Sequence, residues 1–237
     1  MKIAIHQSHY LPWLRYWQKV AACDLFVLLD DAQFTKNDWH NRNKIKTAGG
    51  ALILTVPVLH RLGQKINETV IDPTREWREK HIRSIAANYR KTPYFDRYYP
   101  FLEELYRGEY RLLGEINDRQ FDYFRRELGI TVPQVKSSTL NAEGAASAKL
   151  VNICRAVGAD TYYTGKHAAD VYLDRELFAN NGIRIEEQVW TCPAYPQQFP
   201  GAGFIGDLAI IDLLFNLGPD SLDYLRTCTV SCSTHER

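Results

Sequence analysis

His6 and Gln7 close one apolar run, MKIAIHQ, and Asp30 and Asp31 close a second, DLFVLLDD. Imidazole titrates near neutrality and can take or give a proton in a reaction. A carboxylate at the end of a neighbouring strand can orient that imidazole or accept a proton from an amine. Together they form an acid–base set suited to amide-bond formation, with His6, Asp30 and Asp31 as candidate catalytic residues. Alternation along a strand turns neighbouring side chains to opposite faces, so only one of the two aspartates faces a given ligand. The other role open to an aspartate here is to cap the following turn. His9 and Tyr10 follow His6 closely enough to line the same site.

QFTKNDWHNRNKIK follows the acidic pair. Gln33, Lys36, Trp39, Asn41, Arg42 and Lys44 mix amide, ammonium and guanidinium donors with one indole, which suits a carboxylate or phosphate. In YYTGKHAADVY, Gly165 and Lys166 sit between a strand and a helix, where backbone N–H groups favour an anion. Gly-x4-Gly-Lys-Ser/Thr and Gly-x-Ser-x-Gly patterns are absent. Cys23, Cys154, Cys192, Cys228 and Cys232 are odd in number and irregular in spacing, which fits neither a disulfide framework nor a zinc set. Cys23 lies at a helix C-terminus without an adjacent base and reads as structural. Asp212 stands in an apolar helix, where a carboxylate needs a partner. It is expected to be buried and hydrogen-bonded, with Arg42 or Tyr10 as partner.

These residues need a scaffold that brings strand ends together. Residues 2–6 and 25–29 have the unbroken apolar character of strands covered on both faces, and a helix over 13–22, with Pro12 at its start, joins them. That is a β-α-β unit with parallel strands. Residues 42–58 read as a β-hairpin excursion turning at Gly49-Gly50, with a short strand near 68–72. Residues 74–91, 96–107 and 110–128 read as an inserted block of three helices. A strand near 131–137, a helix over 144–157, a strand over 161–165, a helix over 167–180, a strand through IRIEEQVW and a helix over 204–218 follow. The expected fold is α/β: a mostly parallel, Rossmann-like sheet flanked by helices, with a β-hairpin excursion and a helical insertion over 74–128. One domain spans 1–237, ending in a polar tail over 227–237. Ligands in such sheets bind beyond the carboxyl ends of the strands.

The chain has 237 residues, 45% of them hydrophobic, enough for one substantial core. A net charge of +1 gives no pull toward nucleic acid or membrane. The N-terminus lacks a signal-peptide pattern and no apolar window reaches membrane-spanning length, so a cytoplasmic protein is expected.

HQSHYLPWLRYWQKVAACDLFVLLDDAQFTKNDWHNRNKIK, followed by LTVPV, YYTGKHAADVYL, Tyr195-x-Gln197 and FIGDLAIIDLLFNLG, resembles the WbqC-like proteins over residues 2–218. The shared positions are His6, Gln7, Tyr10, Trp13, Asp30, Asp31, Gln33, Lys36, Trp39, Asn41, Arg42, Lys44, Gly165, Tyr172, Gln197 and Asp212. Ser8 and Arg15 depart from the usual pattern of Pro and Gly. The resemblance implies a place in O-antigen or other surface-polysaccharide biosynthesis, or in small-molecule pathways, and a glycine or aminoacyl transferase role. The leading expectation is therefore an acyl- or aminoacyl-transferase forming an amide on an amino sugar or similar amine. Its substrate would be a small molecule, with an acyl- or peptidyl-carrier-protein thioester as the donor. A second reading is an adenylate-forming or nucleotidyl transferase using ATP and Mg²⁺, because His6 and His9 stand three apart as in a His-x-Gly-His motif. A third is a non-catalytic sugar-nucleotide or carrier-binding protein. Cofactor and oligomeric state stay open.

Overall fold

The computed structural model describes residues 1–227, apart from the side chains of His167 and Ala168. The tail from residue 228 onward, with Cys228 and Cys232, lies outside the described residues. The chain begins with β1 (Lys2–Gln7), α1 (Leu14–Ala21) and β2 (Leu25–Leu29), and then the excursion β3 (Arg42–Thr47), β4 (Gly50–Thr55), β5 (Val58–Leu59) and β6 (Val70–Ile71). The helical insertion comprises α2 (Arg78–Tyr89), α3 (Phe95–Arg107) and α4 (Leu113–Glu127). The main layer resumes with β7 (Gln134–Lys136), α5 (Ala146–Ala156), β8 (Thr161–Gly165), α6 (Lys166–Val171), α7 (Arg175–Asn180) and β9 (Arg184–Gln188). α8 (Ile210–Leu217) and α9 (Ser221–Thr227) follow.

Five parallel strands form the central sheet in the order β7-β2-β1-β8-β9. Counted by chain position, that order is 3-2-1-4-5. It reverses between β1 and β8, and the crevice at such a switch point is where α/β sheets hold ligands. Both faces are covered. Ala4, Phe26, Leu28 and Tyr163 join one core with Tyr16 and Trp17 of α1, Phe121 of α4 and Ile211 of α8. Ile3, Ile5, Val27 and Tyr162 join the other with Val151 of α5 and Phe178 of α7. This double burial explains why β1 and β2 are apolar without alternation. Phe121 stacks on both Trp17 (4.9 Å between ring centres) and Phe26 (5.6 Å), locking the insertion to the sheet. Among the described residues, no helix is long and apolar enough to cross a membrane.

Three local expectations are corrected. The helix read over 204–218 starts only at Ile210. Asp207 adopts a left-handed φ of 51°, and Gln197 takes both the N–H and the carbonyl of Ile205, so 204–209 cannot form helical bonds. The single helix read over 167–180 is two short ones, because Asp174 caps a new start by accepting from the N–H of Leu177 (2.9 Å). Pro12 lies outside α1, and its carbonyl accepts from the N–H of Ile210 (3.0 Å), joining the start of α8 to the segment before α1.

Candidate functional site

Between β1 and α1 the chain runs through Ser8–Trp13, and this segment is held from outside itself. Gln120 of α4 accepts from the N–H of Leu11 (3.0 Å) and donates to the carbonyl of His9 (3.2 Å). Asn43 of β3 donates to the carbonyl of Leu11 (2.6 Å), and Asn117 of α4 donates to that of His40 (3.0 Å). Leu11 is thereby kept at φ 44°, a left-handed conformation that a leucine adopts at a cost of about 1–3 kcal/mol. The reason for this forced turn is the side chain it presents: His9 folds back beside His6.

His6, His9 and His40 form a chain of rings. His6 and His9 are 4.8 Å apart between ring centres, and His9 and His40 are 5.2 Å apart. Trp13 stacks on His9 at 5.1 Å and meets His6 edge-on at 5.7 Å, while Tyr16 packs against His6 at 4.6 Å. His9 is buried with neither ring nitrogen hydrogen-bonded, whereas His6 keeps a partly exposed edge. Burial, with the positive charge of Lys19 second, holds the pKa of His6 well below its ordinary value. Burial, then the neighbouring His6, does the same to His9. For His40, burial prevails over Asp38, whose carboxylate lies 3.7 Å from Nε2. At neutral pH these rings are neutral, able to accept protons or to donate one hydrogen bond each.

Lys19 acts on this cluster through its charge. It sits on α1, 6% exposed, with its pKa lowered to about 8 by burial. It therefore still carries its charge at pH 7. Among the described residues, no carboxylate lies within ion-pair distance of it. A buried ammonium without a counter-ion is costly, and its charge already bears on both His6 and His9. The arrangement is complementary to an anion.

The aspartates take a different part from the one expected. Asp30 accepts from Ser137 Oγ (3.1 Å), from Ser138 N–H (3.0 Å) and from Ser138 Oγ (2.7 Å). Asp31 accepts from Ser137 and pairs with Lys149 of α5 at 2.5 Å. Burial works against its ionised form, but the bonds from Lys149 and Ser137 prevail and keep its pKa below the ordinary carboxylate value. The register sets Leu28 opposite His6, and both carboxylates are committed to the turn at 137–139 and to α5. Of the two roles open to them, turn-capping describes these bonds.

Asp212 is fully buried and accepts from Tyr89 (2.7 Å), Tyr195 (2.6 Å) and Gln197 (2.9 Å). Burial raises its pKa against those bonds. Its partners are not Arg42 or Tyr10. Gln197 in turn accepts from Lys46 (3.1 Å), so Asp212 and Gln197 belong to an internal network that fixes α8 to β3. Tyr10 is also internal, donating to or accepting from Tyr106 and His81 Nδ1 (2.8 Å).

Trp39 stands over Trp13 at 6.1 Å, with Arg42 and Lys44 above its ring at 5.7 and 5.6 Å. These residues roof the histidines. Asn41 is buried and donates to the carbonyl of Val56 (2.7 Å). Gln7 is half-buried at the tip of β1, and Gln33 is exposed, bridged by its backbone to Lys65. Gly165 ends β8 across the switch point, with Lys166 exposed after it, whereas Tyr172 is 68% exposed at the end of α6. Lys36 opens onto a separate cleft, described below. Arg15, one of the departures from the usual pattern, pairs with Asp207 at 2.9 Å beside this roof. Sequence reasoning missed Lys19, His40 and Gln120. The available signal was polar residues on otherwise apolar helical faces, notably Asn117 and Gln120, three apart in α4. Among the described residues, no three His, Cys, Asp or Glu side chains are placed to share a metal ion.

This motif-bearing segment belongs to a match that runs through most of the molecule: the model of the WbqC-like protein family fits residues 7–224. The chain belongs to the WbqC-like family. An uncharacterized protein of Mycobacterium tuberculosis, Rv1507c, is 36% identical over 230 residues, covering 96% of this chain and 98% of its own length. No solved structure matches the chain. In this WbqC-like protein, His9, His40 and the roof residues fall within the matched region, which begins one residue after His6.

Proposed function

We propose that the protein is an enzyme that activates a carboxylate with ATP and passes the acyl group to an amine. The observation that carries this reading is the His6–His9–His40 cluster at the sheet's switch point, on which the uncompensated charge of Lys19 bears. Histidines three apart at a β1–α1 junction suit the phosphates of a nucleotide. The N-terminus of α1, capped at Trp13 against the two rings, adds its positive end there, whereas Lys19 lies in the helix's last turn. The carboxylate oxygen attacks the α-phosphorus of ATP, and the P–O bond to pyrophosphate breaks, giving an acyl adenylate. Lys19 and the two imidazoles stabilise the charge on the departing pyrophosphate. An amine then attacks the acyl carbon, AMP leaves with the bonding pair, and an amide forms. Neutral His6 takes the proton that the amine releases.

This keeps the amide product and replaces the expected His–Asp couple, since Asp30 and Asp31 are hydrogen-bonded elsewhere. The acceptor class we propose is an amino sugar or a comparable small amine, as in surface-polysaccharide assembly. A carrier-protein thioester as donor is the competing route. It needs no ATP and leaves the Lys19 charge without a purpose. The test is ATP–pyrophosphate exchange with a panel of carboxylates, including glycine, and with hydroxylamine to trap the acyl adenylate. Carboxylate-dependent exchange should fall roughly 100- to 10,000-fold in His6→Ala, the usual range for losing such a group, with little change in melting temperature. Absence of exchange across the panel, with amide formed from a carrier thioester, refutes the adenylate route.

A further inference from the structure

A second concavity, of about 500 Å³, opens where the β4–β5 segment faces the start of α2, within the usual range for a small-molecule site. Its apolar surface comes from Phe34, Pro57, Val58 and Trp77, and beside Arg75, which faces Asp72, its cations are Lys36, Arg42 and Lys80. Among the described residues, none of these three cations has a carboxylate within ion-pair distance. The acids beside them do not neutralise the site. Asp72 is taken by Thr74 (2.9 Å to its N–H, 2.7 Å to its hydroxyl) and lies 3.9 Å from Arg75, and Glu76 stands exposed at the rim.

The buried polar groups left without a partner here are donors. Trp77 is 4% exposed, lines the cleft, and its indole N–H has no partner. Arg42 donates to the carbonyl of Asn37, but its Nε–H is buried and unpartnered. Among the buried acceptors beside them, His81 Nδ1 is occupied by Tyr10. Buried donors without acceptors are expensive, so a ligand that fills this cleft must bring acceptors.

We infer that the cleft binds a small molecule bearing an oxyanion, phosphate or carboxylate, with Arg42, Lys36 and Lys80 on the anion and the Trp77 N–H on an acceptor of the ligand body. The inference goes beyond the transfer reaction and stands whether or not the adenylate route operates. The protein has 5 tryptophans. Labelled with 5-fluorotryptophan, it gives separate ¹⁹F signals, and Trp77→Phe identifies the one in the cleft. Sodium pyrophosphate and citrate serve as phosphate and carboxylate probes, each titrated at constant ionic strength. The Trp77 signal should move saturably with at least one probe, and the tighter probe names the oxyanion. Arg42→Gln should weaken that response about tenfold or more. Lys80→Gln, at an exposed position that folding tolerates, should weaken it less. His6→Ala should leave it intact, which separates this outcome from failure of the exchange assay. No saturable movement with either probe, a response confined to Trp13, or one unchanged in both cation variants overturns the assignment.

Discussion

His81 offers a quantitative test of how buried histidines govern this protein's acid stability. It lies on α2, 4% exposed, with Nδ1 occupied by Tyr10 at 2.8 Å, and burial lowers its pKa from 6.5 to about 4. The folded pKa is depressed, so between about pH 6.5 and pH 4 the unfolded chain binds a proton that the folded one refuses. Stability therefore falls as pH falls through that window. For one group with these two values, the loss is about 2 kcal/mol at pH 5 and approaches about 3.4 kcal/mol well below pH 4. His81→Gln removes this titration. The other depressed histidines, and Asp212 with its opposite shift, stay in both proteins and cancel in the comparison. Urea unfolding near pH 7.5 and near pH 5 gives the loss for each protein. The wild type should lose about 2 kcal/mol more than His81→Gln, whatever the variant's stability at neutral pH. Parallel losses, within about 0.5 kcal/mol, would show that His81 is not held neutral by burial and would refute the reasoning.

Asp212→Ala should cost about 3–5 kcal/mol in denaturant unfolding, because two tyrosine hydroxyls and Gln197 lose a buried acceptor at once. A loss under about 1 kcal/mol would mean that the network relaxes onto water. Gln120→Leu should destabilise by about 2 kcal/mol and reduce exchange activity, since the N–H of Leu11 and the carbonyl of His9 lose their partner. Full activity in the folded variant would show that the His9 turn holds without it. Lys149→Met should cost about 1 kcal/mol or less and leave exchange near the wild-type rate, because Asp31 serves the turn at 137–139. A collapse of activity without unfolding would return Asp31 to the site.

The β1–α1–β2 unit was legible because its strands are buried on both faces and so apolar throughout, and the hairpin because glycines mark its turn, which falls at Ala48-Gly49, one residue before the expected Gly49-Gly50. The segment 204–209 was not. FIGDLA is as apolar as the helix it precedes, and only the side chain of Gln197, brought in by the fold, removes its backbone bonds from helical use. His6 stood out through its place at a strand end. Asp30 and Asp31 looked equivalent to it for the same reason, yet position at a sheet edge does not say which way a carboxylate turns. Ser137 and Ser138, the groups that draw them, lie more than a hundred residues away in the chain. Lys19 was hidden because a lysine in a short amphipathic helix reads as surface until the neighbouring layers are known. The oxyanion cleft was legible only in part: Lys36 and Arg42 stand in the stretch marked as suited to a carboxylate or phosphate, whereas Trp77 and Lys80 come from a segment more than thirty residues further on.

The support that α4 gives to the His9 turn also sets a schedule for the newborn chain. Leu11 and Gln120 are 109 residues apart. During synthesis at about 5–20 residues per second, β1, α1 and β2 are complete roughly 5–20 s before the amide that holds Leu11 in its left-handed conformation exists. For that interval the chain has its first parallel strand pair without the histidine arrangement, since a leucine left to itself prefers negative φ. The site is therefore assembled late, by docking of α4, although its residues are among the first made. A nascent chain lacks the histidine arrangement until the helical block that completes the molecule's interior is in place.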